Sequence, residues 1–337
     1  MSEAVVCTDT HLERQVVIKS LKPGADSKRI LDELAALQSI RSKHVVQIYD
    51  VIRDSSGNVV GIVEEYLPGD DLTSVSSPKN ADEFLRLAYP IAEGIADIHT
   101  HNRVHRDIKR QNMKFDAEDC LKIFDFGLAR DAAVEASTMG EIGTPGYMAP
   151  ELFSATKGTK VVFDKEVDVF AFGATLLAIT LGTLPKDLKE VPPKLPCAEA
   201  DFAKLGIGIP APLVSLLNKC FAIKASDRPT MPSIASSIGQ FLLQNKHRAL
   251  IASNSRTDVL DSTNAVVQLS VQGQGSLNIS YTGFEFVVWN VTGHVSINNI
   301  PTSNGYVLPG SCVIVLGPAS SFRTFVTVDV SHPEVSL

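Results

Sequence analysis

The stretch that decides the reading is Val104-His105-Arg106-Asp107-Ile108-Lys109-Arg110-Gln111-Asn112, then a short apolar–polar run, then Asp125-Phe126-Gly127. Four residues in it suit one kind of chemistry. Asp107 is a carboxylate that can hold and deprotonate a hydroxyl. Lys109, two positions on, is close enough to neutralise phosphate oxygens. Asn112 and Asp125 are hard oxygen donors of the kind Mg²⁺ selects. Such a set fits phosphoryl transfer, where positioning and charge neutralisation supply most of the catalysis.

Working outward, the chain has 337 residues, of which 44% are hydrophobic, with a net charge of −7. That length suits two domains, or one bilobal unit and a small one. The acidic balance argues against a nucleic-acid partner, which needs a basic surface. The five cysteines are scattered, with no C-x-x-C pair, so free thiols are expected rather than a disulfide framework or a zinc site. The first ten residues have no basic region and no long apolar core, so no signal peptide is read there and a cytoplasmic setting is expected. Val167 to Pro185 is apolar and about membrane length. It carries Asp168 and Gly173 and ends at Leu184-Pro185, which favours a buried core helix over a membrane span.

Ala4–Cys7 and Gln15–Lys19 read as strands, and Ser27 to Ile40 as a helix with Ile30, Leu34 and Leu37 on one stripe. Strands are expected at Val45–Val51 and Val59–Val63. After Pro68 the pattern turns helical. Phe84, Ala88, Ile91, Ile95 and Ile98 recur at helical spacing behind an Asn80/Glu83 capping box. Further helices are expected at 166–182, 210–222 and 232–245. Residues 246–261 read as a polar linker. From 262 onward short alternating runs separated by Gly, Asn, Pro and Ser predict a small all-β sandwich, with strands near 266–271, 276–280, 284–289, 312–316 and 324–328.

The run His105-Arg106-Asp107-Ile108-Lys109 through Asn112, followed by Asp125-Phe126-Gly127, resembles the catalytic signature of the eukaryotic-like (Hanks-type) Ser/Thr protein kinases. Gly143-Thr144-Pro145-Gly146-Tyr147-Met148-Ala149-Pro150-Glu151 resembles the segment on which those kinases seat a protein substrate, and its style is similar to bacterial members. The resemblance covers roughly residues 3–245. It implies an α+β, bilobal protein-kinase fold: a β-rich N-lobe at 1–67, a helical C-lobe at 68–245, the linker at 246–261 and the β-sandwich-like domain at 262–337.

It further implies ATP and Mg²⁺ as cofactors and protein Ser/Thr hydroxyls as acceptors. Asp107 would hold the acceptor hydroxyl, Lys109 would neutralise charge, and Asn112 and Asp125 would hold the metal. Lys19, otherwise read as a solvated strand-end lysine, matches the lysine that pairs with the α and β phosphates and with a helix glutamate, here Glu33. Glu65, Tyr66 and Leu67 match the hinge. Asp71 matches a ribose contact, with Asp70 a near alternative. Thr144 would contact Asp107 and Lys109, and Glu151 would pair with Arg228. The matching Asp168 would anchor the catalytic loop from beneath. Arg106 before Asp107 fits an activation loop ordered by phosphorylation, for which Ser137 and Thr138 are the candidate acceptors.

Several residues depart from the family pattern. No glycine precedes Lys19, and the third position of the expected phosphate-covering loop falls at Ser2. A missing N-terminal piece is expected, so that the N-lobe lacks its first strand and glycine-rich loop. Glu64 stands where an apolar gatekeeper or Thr is common, Lys114 where an aliphatic residue supports the adenine, and Phe124 at a site often small. These departures support a rival reading, a pseudokinase-like signalling scaffold with weak or no phosphotransfer. A metabolite phosphotransferase is disfavoured by Ala149-Pro150-Glu151. The β domain carries no recognised functional motif; binding of a partner, a substrate or the kinase itself is its expected role.

Overall fold

A computed structural model of the chain describes residues 2–21, 28–126, 130–131, 134–136, 143–153, 161–253 and 256–334. The chain divides into two units, Met1–Ser236 and Ser237–Leu337. In the first unit the β-rich stretch forms β1 (Ser2–Asp9), β2 (Arg14–Leu21), α1 (Lys28–Leu37), β3 (Ile48–Arg53) and β4 (Val59–Glu65). The strands make one antiparallel sheet in the order β1-β2-β4-β3. Helix α1 packs Leu34 on Ile62 of β4, with Ile48, Val51 and Val59 around them. The expected strand at Val45–Val51 starts later, at Ile48. His44 to Val46 are taken instead by backbone bonds to Ile123, whose N–H and C=O they share.

The helical part begins with α2 (Ala81–Thr100). Its N-terminus is capped as its sequence indicates: Glu83 N–H donates to Asn80 Oδ1 at 2.9 Å, satisfying one of the orphan donors of the first turn. Phe84, Ala88, Ile91, Ile95 and Ile98 are all buried, which is the physical content of their spacing. The short strands β5 (Arg103–Val104), β6 (Met113–Phe115), β7 (Leu121–Ile123), β8 (Arg130–Asp131), β9 (Val134–Ala136) and β10 (Val161–Phe163) then pair as β5–β8, β6–β7 and β9–β10. Their brevity hides them from any periodicity argument.

Helix α3 (Glu166–Leu181) is buried on nearly every side from Val167 to Ile179. A helix apolar all round belongs in a core. It stops at Gly182, whose φ of 74° is the left-handed cap that glycine adopts without strain. Among the described residues no helix is long and apolar enough to cross a membrane. The helices α4 (Lys186–Lys189), α5 (Ala211–Asn218) and α6 (Met231–Leu243) follow, and the unit boundary falls within α6.

In the second unit, the stretch read as a linker corrects the sequence expectation. It carries β11 (Ala249–Ala252) and β12 (Thr257–Leu260), paired with each other. Of these two strands only Ala249, Ile251 and Leu260 are buried, so the signal is a few residues between polar runs. The remaining strands are β13 (Val266–Val271), β14 (Gly275–Tyr281), β15 (Phe286–Gly293), β16 (Val295–Ile297), β17 (Ile300–Pro301), β18 (Cys312–Leu316) and β19 (Thr324–Val330). They form a six-stranded sheet, β12-β11-β19-β18-β16-β17, and a three-stranded sheet, β13-β14-β15. Alternate residues of both sheets enter one core, among them Val267, Leu269, Leu277, Ile279, Ile314 and Val326.

Candidate active site

Asp168, near the start of α3, positions the loop that carries Asp107. Its carboxylate is fully buried. Oδ2 accepts from the His105 N–H at 2.8 Å and lies 3.1 Å from His99 Nε2, while Oδ1 accepts from the Arg106 N–H at 2.9 Å. Burial works to raise the Asp168 pKa, but the bond from His99, the nearby imidazoles and the His105 N–H outweigh it and hold the carboxyl below its usual value. The loop needs this anchor because Arg106 has φ +69°, a conformation that costs a non-glycine residue energy.

Asp107 is thereby presented with its carboxylate at the centre of a polar cluster. Lys109 Nζ donates to Oδ2 at 2.6 Å, and Thr144 Oγ1 donates to Oδ1 at 2.7 Å. Lys109 Nζ also donates to Thr144 Oγ1 at 2.8 Å, closing a triangle. Asn112 Nδ2 donates to the Asp107 carbonyl at 2.9 Å and to Oδ2 at 3.0 Å. With its amine end so committed, the oxygen of Asn112 is the atom left for a cation. Asp125 is exposed at φ +65°, a second left-handed residue in the same region. Next to it Phe126 is fully buried, its ring 4.6 Å from that of His105. Gly127 lies outside the described residues.

Lys19 lies on β2 with its Nζ 2.6 Å from Glu33 Oε1, the two residues that the resemblance pairs. Glu33 Oε1 also accepts from the Phe126 N–H at 3.1 Å, tying α1 to the segment after β7. A second carboxylate reaches the same ammonium: Glu64 Oε2 is 3.0 Å from Lys19 Nζ. In the antiparallel register Glu64 sits opposite Val17, so it is the diagonal neighbour of Lys19 on the same sheet face. Burial works to lower the Lys19 pKa, and the charges of Glu33 and Glu64 overturn this and raise it well above the ordinary lysine value.

Glu65 faces the other way. Its Oε1 is 3.0 Å from Lys122 Nζ and its Oε2 accepts from the Gln47 N–H at 3.1 Å, so its side chain is spent on holding the β4 exit. Leu67 is buried. Asp71 folds its carboxylate back onto Thr73, accepting from that residue's N–H at 2.8 Å and from its hydroxyl. It also pairs by backbone with Lys114. Lys114 places its ammonium 6.0 Å from the centre of the Tyr66 ring.

Arg228 grips Glu151 through both nitrogens, at 2.6 and 2.8 Å, and donates to the Glu166 and Ala222 carbonyls. Ser137 and Thr138 lie outside the described residues. Among the described residues no cluster of His, Cys, Asp or Glu has metal-site geometry. The donor types fit a hard divalent cation, because Asn112 would offer its amide oxygen and Asp125 a carboxylate open to solvent.

What the sequence did not indicate is that Glu64 joins Lys19. The signal was there: counting in twos along Val17-Ile18-Lys19 and Ile62-Val63-Glu64 puts both polar ends on the face that also receives Glu33. The pairing register was the missing fact.

Comparison with known proteins adds a second line. The family model described as "Protein kinase domain" matches residues 1–238. The chain is 31% identical to the serine/threonine-protein kinase STY46 of Arabidopsis thaliana over 52% of its own length and 31% of that protein's. It is also 31% identical to the maternal embryonic leucine zipper kinase of Xenopus tropicalis, over 49% of this chain and 25% of that one. The chain thus spans less than a third of each of these curated relatives.

Proposed function

The chain belongs to the protein kinase family, and from that premise we propose that it transfers the γ-phosphoryl group of ATP to serine and threonine hydroxyls of protein substrates. The observation that carries this is the closed triangle of Asp107, Lys109 and Thr144. Asp107 would orient the acceptor hydroxyl and take its proton. Lys109, already bonded to Asp107, holds that carboxylate in place and leaves its positive charge beside the phosphate to be moved. Lys19, held against α1 by Glu33, would meet the phosphates of ATP. Asn112 and Asp125 would hold Mg²⁺, which supplies neutralisation of phosphate charge when bound. The segment from Thr144 to Glu151, pinned by Arg228, would seat the substrate chain.

A second reading, a binding scaffold with little phosphotransfer, is favoured by one observation: Glu64 competes for Lys19. The two are separated by incubating the full chain with radiolabelled ATP, Mg²⁺ and a generic basic acceptor protein, followed by phosphoamino acid analysis. Label on serine and threonine is expected. No label, or label on tyrosine alone, would refute the proposal.

A further inference from the structure

Lys19 stands between two buried carboxylates, and one of them is unsatisfied. Glu33 and Glu64 are 4% and 3% exposed. Glu33 Oε1 is shared between Lys19 and the Phe126 N–H. Glu64 uses Oε2 on Lys19, and its Oε1 is buried with no hydrogen-bond partner. An ionised carboxylate in that position lacks the donors that normally offset its desolvation. The groups facing it are Lys19 from β2 and Glu33 from α1. Asp125, from the segment after β7, adds its negative charge to those acting on Lys19. The register partners of Glu64 are apolar, Val17 on β2 and Ile48 on β3. One ammonium therefore serves two carboxylates, with a third negative charge near.

Resting on the nucleotide-binding reading above, we propose that Glu64 is a positioning residue that controls Lys19. Ionised, Glu64 holds the ammonium against the β4 strand and repels phosphate. Protonated, it lets Lys19 turn its charge to phosphate oxygens, so that nucleotide binding draws a proton onto Glu64. Burial is the largest influence on the Glu64 carboxyl and raises it; Lys19 opposes and Glu33 adds, leaving it at about 7. Its charge thus changes within the neutral range. A polyphosphate arriving beside it adds negative charge and favours the protonated form further. Proton and nucleotide must then promote each other's binding by the same factor.

The test is calorimetric titration of Mg·ADP into the full chain from pH 6 to pH 8, in buffers of different ionisation enthalpy, for the native protein, Glu64→Gln and Glu64→Leu. The native protein should bind about tenfold more weakly at pH 8 than at pH 6 and take up close to one proton per nucleotide at pH 8. Both variants should bind at every pH about as tightly as the native protein at pH 6, with no proton uptake assigned to this site. Glu64→Leu keeps the test open if Glu64→Gln folds poorly, and circular dichroism reports folding for each. A pH slope in the variants equal to the native one overturns the proposal, as does a flat native profile or failure of all three folded proteins to bind. Absence of phosphotransfer alongside an intact proton linkage would count against the kinase reading and leave this one standing.

Discussion

Replacing Asp168 with asparagine tests how the loop around Asp107 is held. The native carboxylate accepts the His105 N–H, the Arg106 N–H and the His99 ring from two oxygens, with no access to water. Asparagine has one acceptor oxygen. Whichever way the amide turns, its NH₂ faces a donor. Either the Arg106 N–H, or the His105 N–H together with His99, loses its acceptor. One buried unsatisfied donor costs about 1–3 kcal/mol, and losing a bond to a charged acceptor about 1.5–3 kcal/mol more. The expected loss is therefore about 2.5–6 kcal/mol.

Urea unfolding followed by circular dichroism at 222 nm reads the helices, which lie between residues 28 and 243. At a slope of about 3 kcal/mol per molar, the midpoint should fall by about 0.8–2 M. The pH sign is fixed by the depressed carboxyl. Its contribution is present above the unfolded value of 3.8 and is lost as pH falls through the lower folded value, so the deficit of Asp168→Asn should be constant from pH 5 to pH 8. Phosphotransfer should drop with it, since a displacement of about 1 Å at Asp107 costs about a hundredfold. A midpoint within 0.2 M of native would refute the reasoning, because it would mean that burying the charge costs as much as its bonds return (a shift this small is about 0.6 kcal/mol at that slope).

Other predictions follow from the same contacts. Glu64 has a raised carboxyl, so its stabilising contribution is full below its unfolded value of 4.5 and is lost as pH rises through about 7. Thermal unfolding of Glu64→Gln should gain on the native protein across that window, by on the order of 3 kcal/mol, and stay level above it; an unchanging difference would contradict this. Glu151→Gln strands the charge of Arg228, whose side chain is 0% exposed, and should cost about 3 kcal/mol in urea unfolding. Gly94→Ala would place a methyl 2.9 Å from Ile123 Cδ1 and 3.0 Å from the His44 carbonyl oxygen. The gain in helix propensity of about 1 kcal/mol is outweighed by crowding of about 1–3 kcal/mol, so the melting temperature should fall.

Much of the site was legible because its residues are close in sequence. Asp107, Lys109 and Asn112 lie within six positions of one another, and the structure joins them by hydrogen bonds. Long-range partners such as Glu33 for Lys19, or Arg228 for Glu151, were legible only through resemblance, since nothing local links them. Helices α2 and α3 were readable because periodicity and capping extend over many residues. Strands β11 and β12 were not, because each is only four residues long and its exposed face carries apolar Leu250 or Val259, which breaks the alternation that marks a half-buried strand. Glu64 was visible as an oddity, but its meaning depended on strand register. Asp71, matched by pattern to a ribose contact, has a local partner that the pattern did not indicate, its own Thr73.

The measurement that bears most directly on the central claim is phosphate transfer from radiolabelled ATP by the native chain and by Asp107→Asn, at equal concentration and with matched circular dichroism. Asparagine keeps the shape at Asp107 and removes the base. General-base assistance is worth about a hundredfold to ten-thousandfold, so transfer by the variant should fall at least a hundredfold below native. Equal transfer by the two proteins, or none by the native chain, would contradict the account.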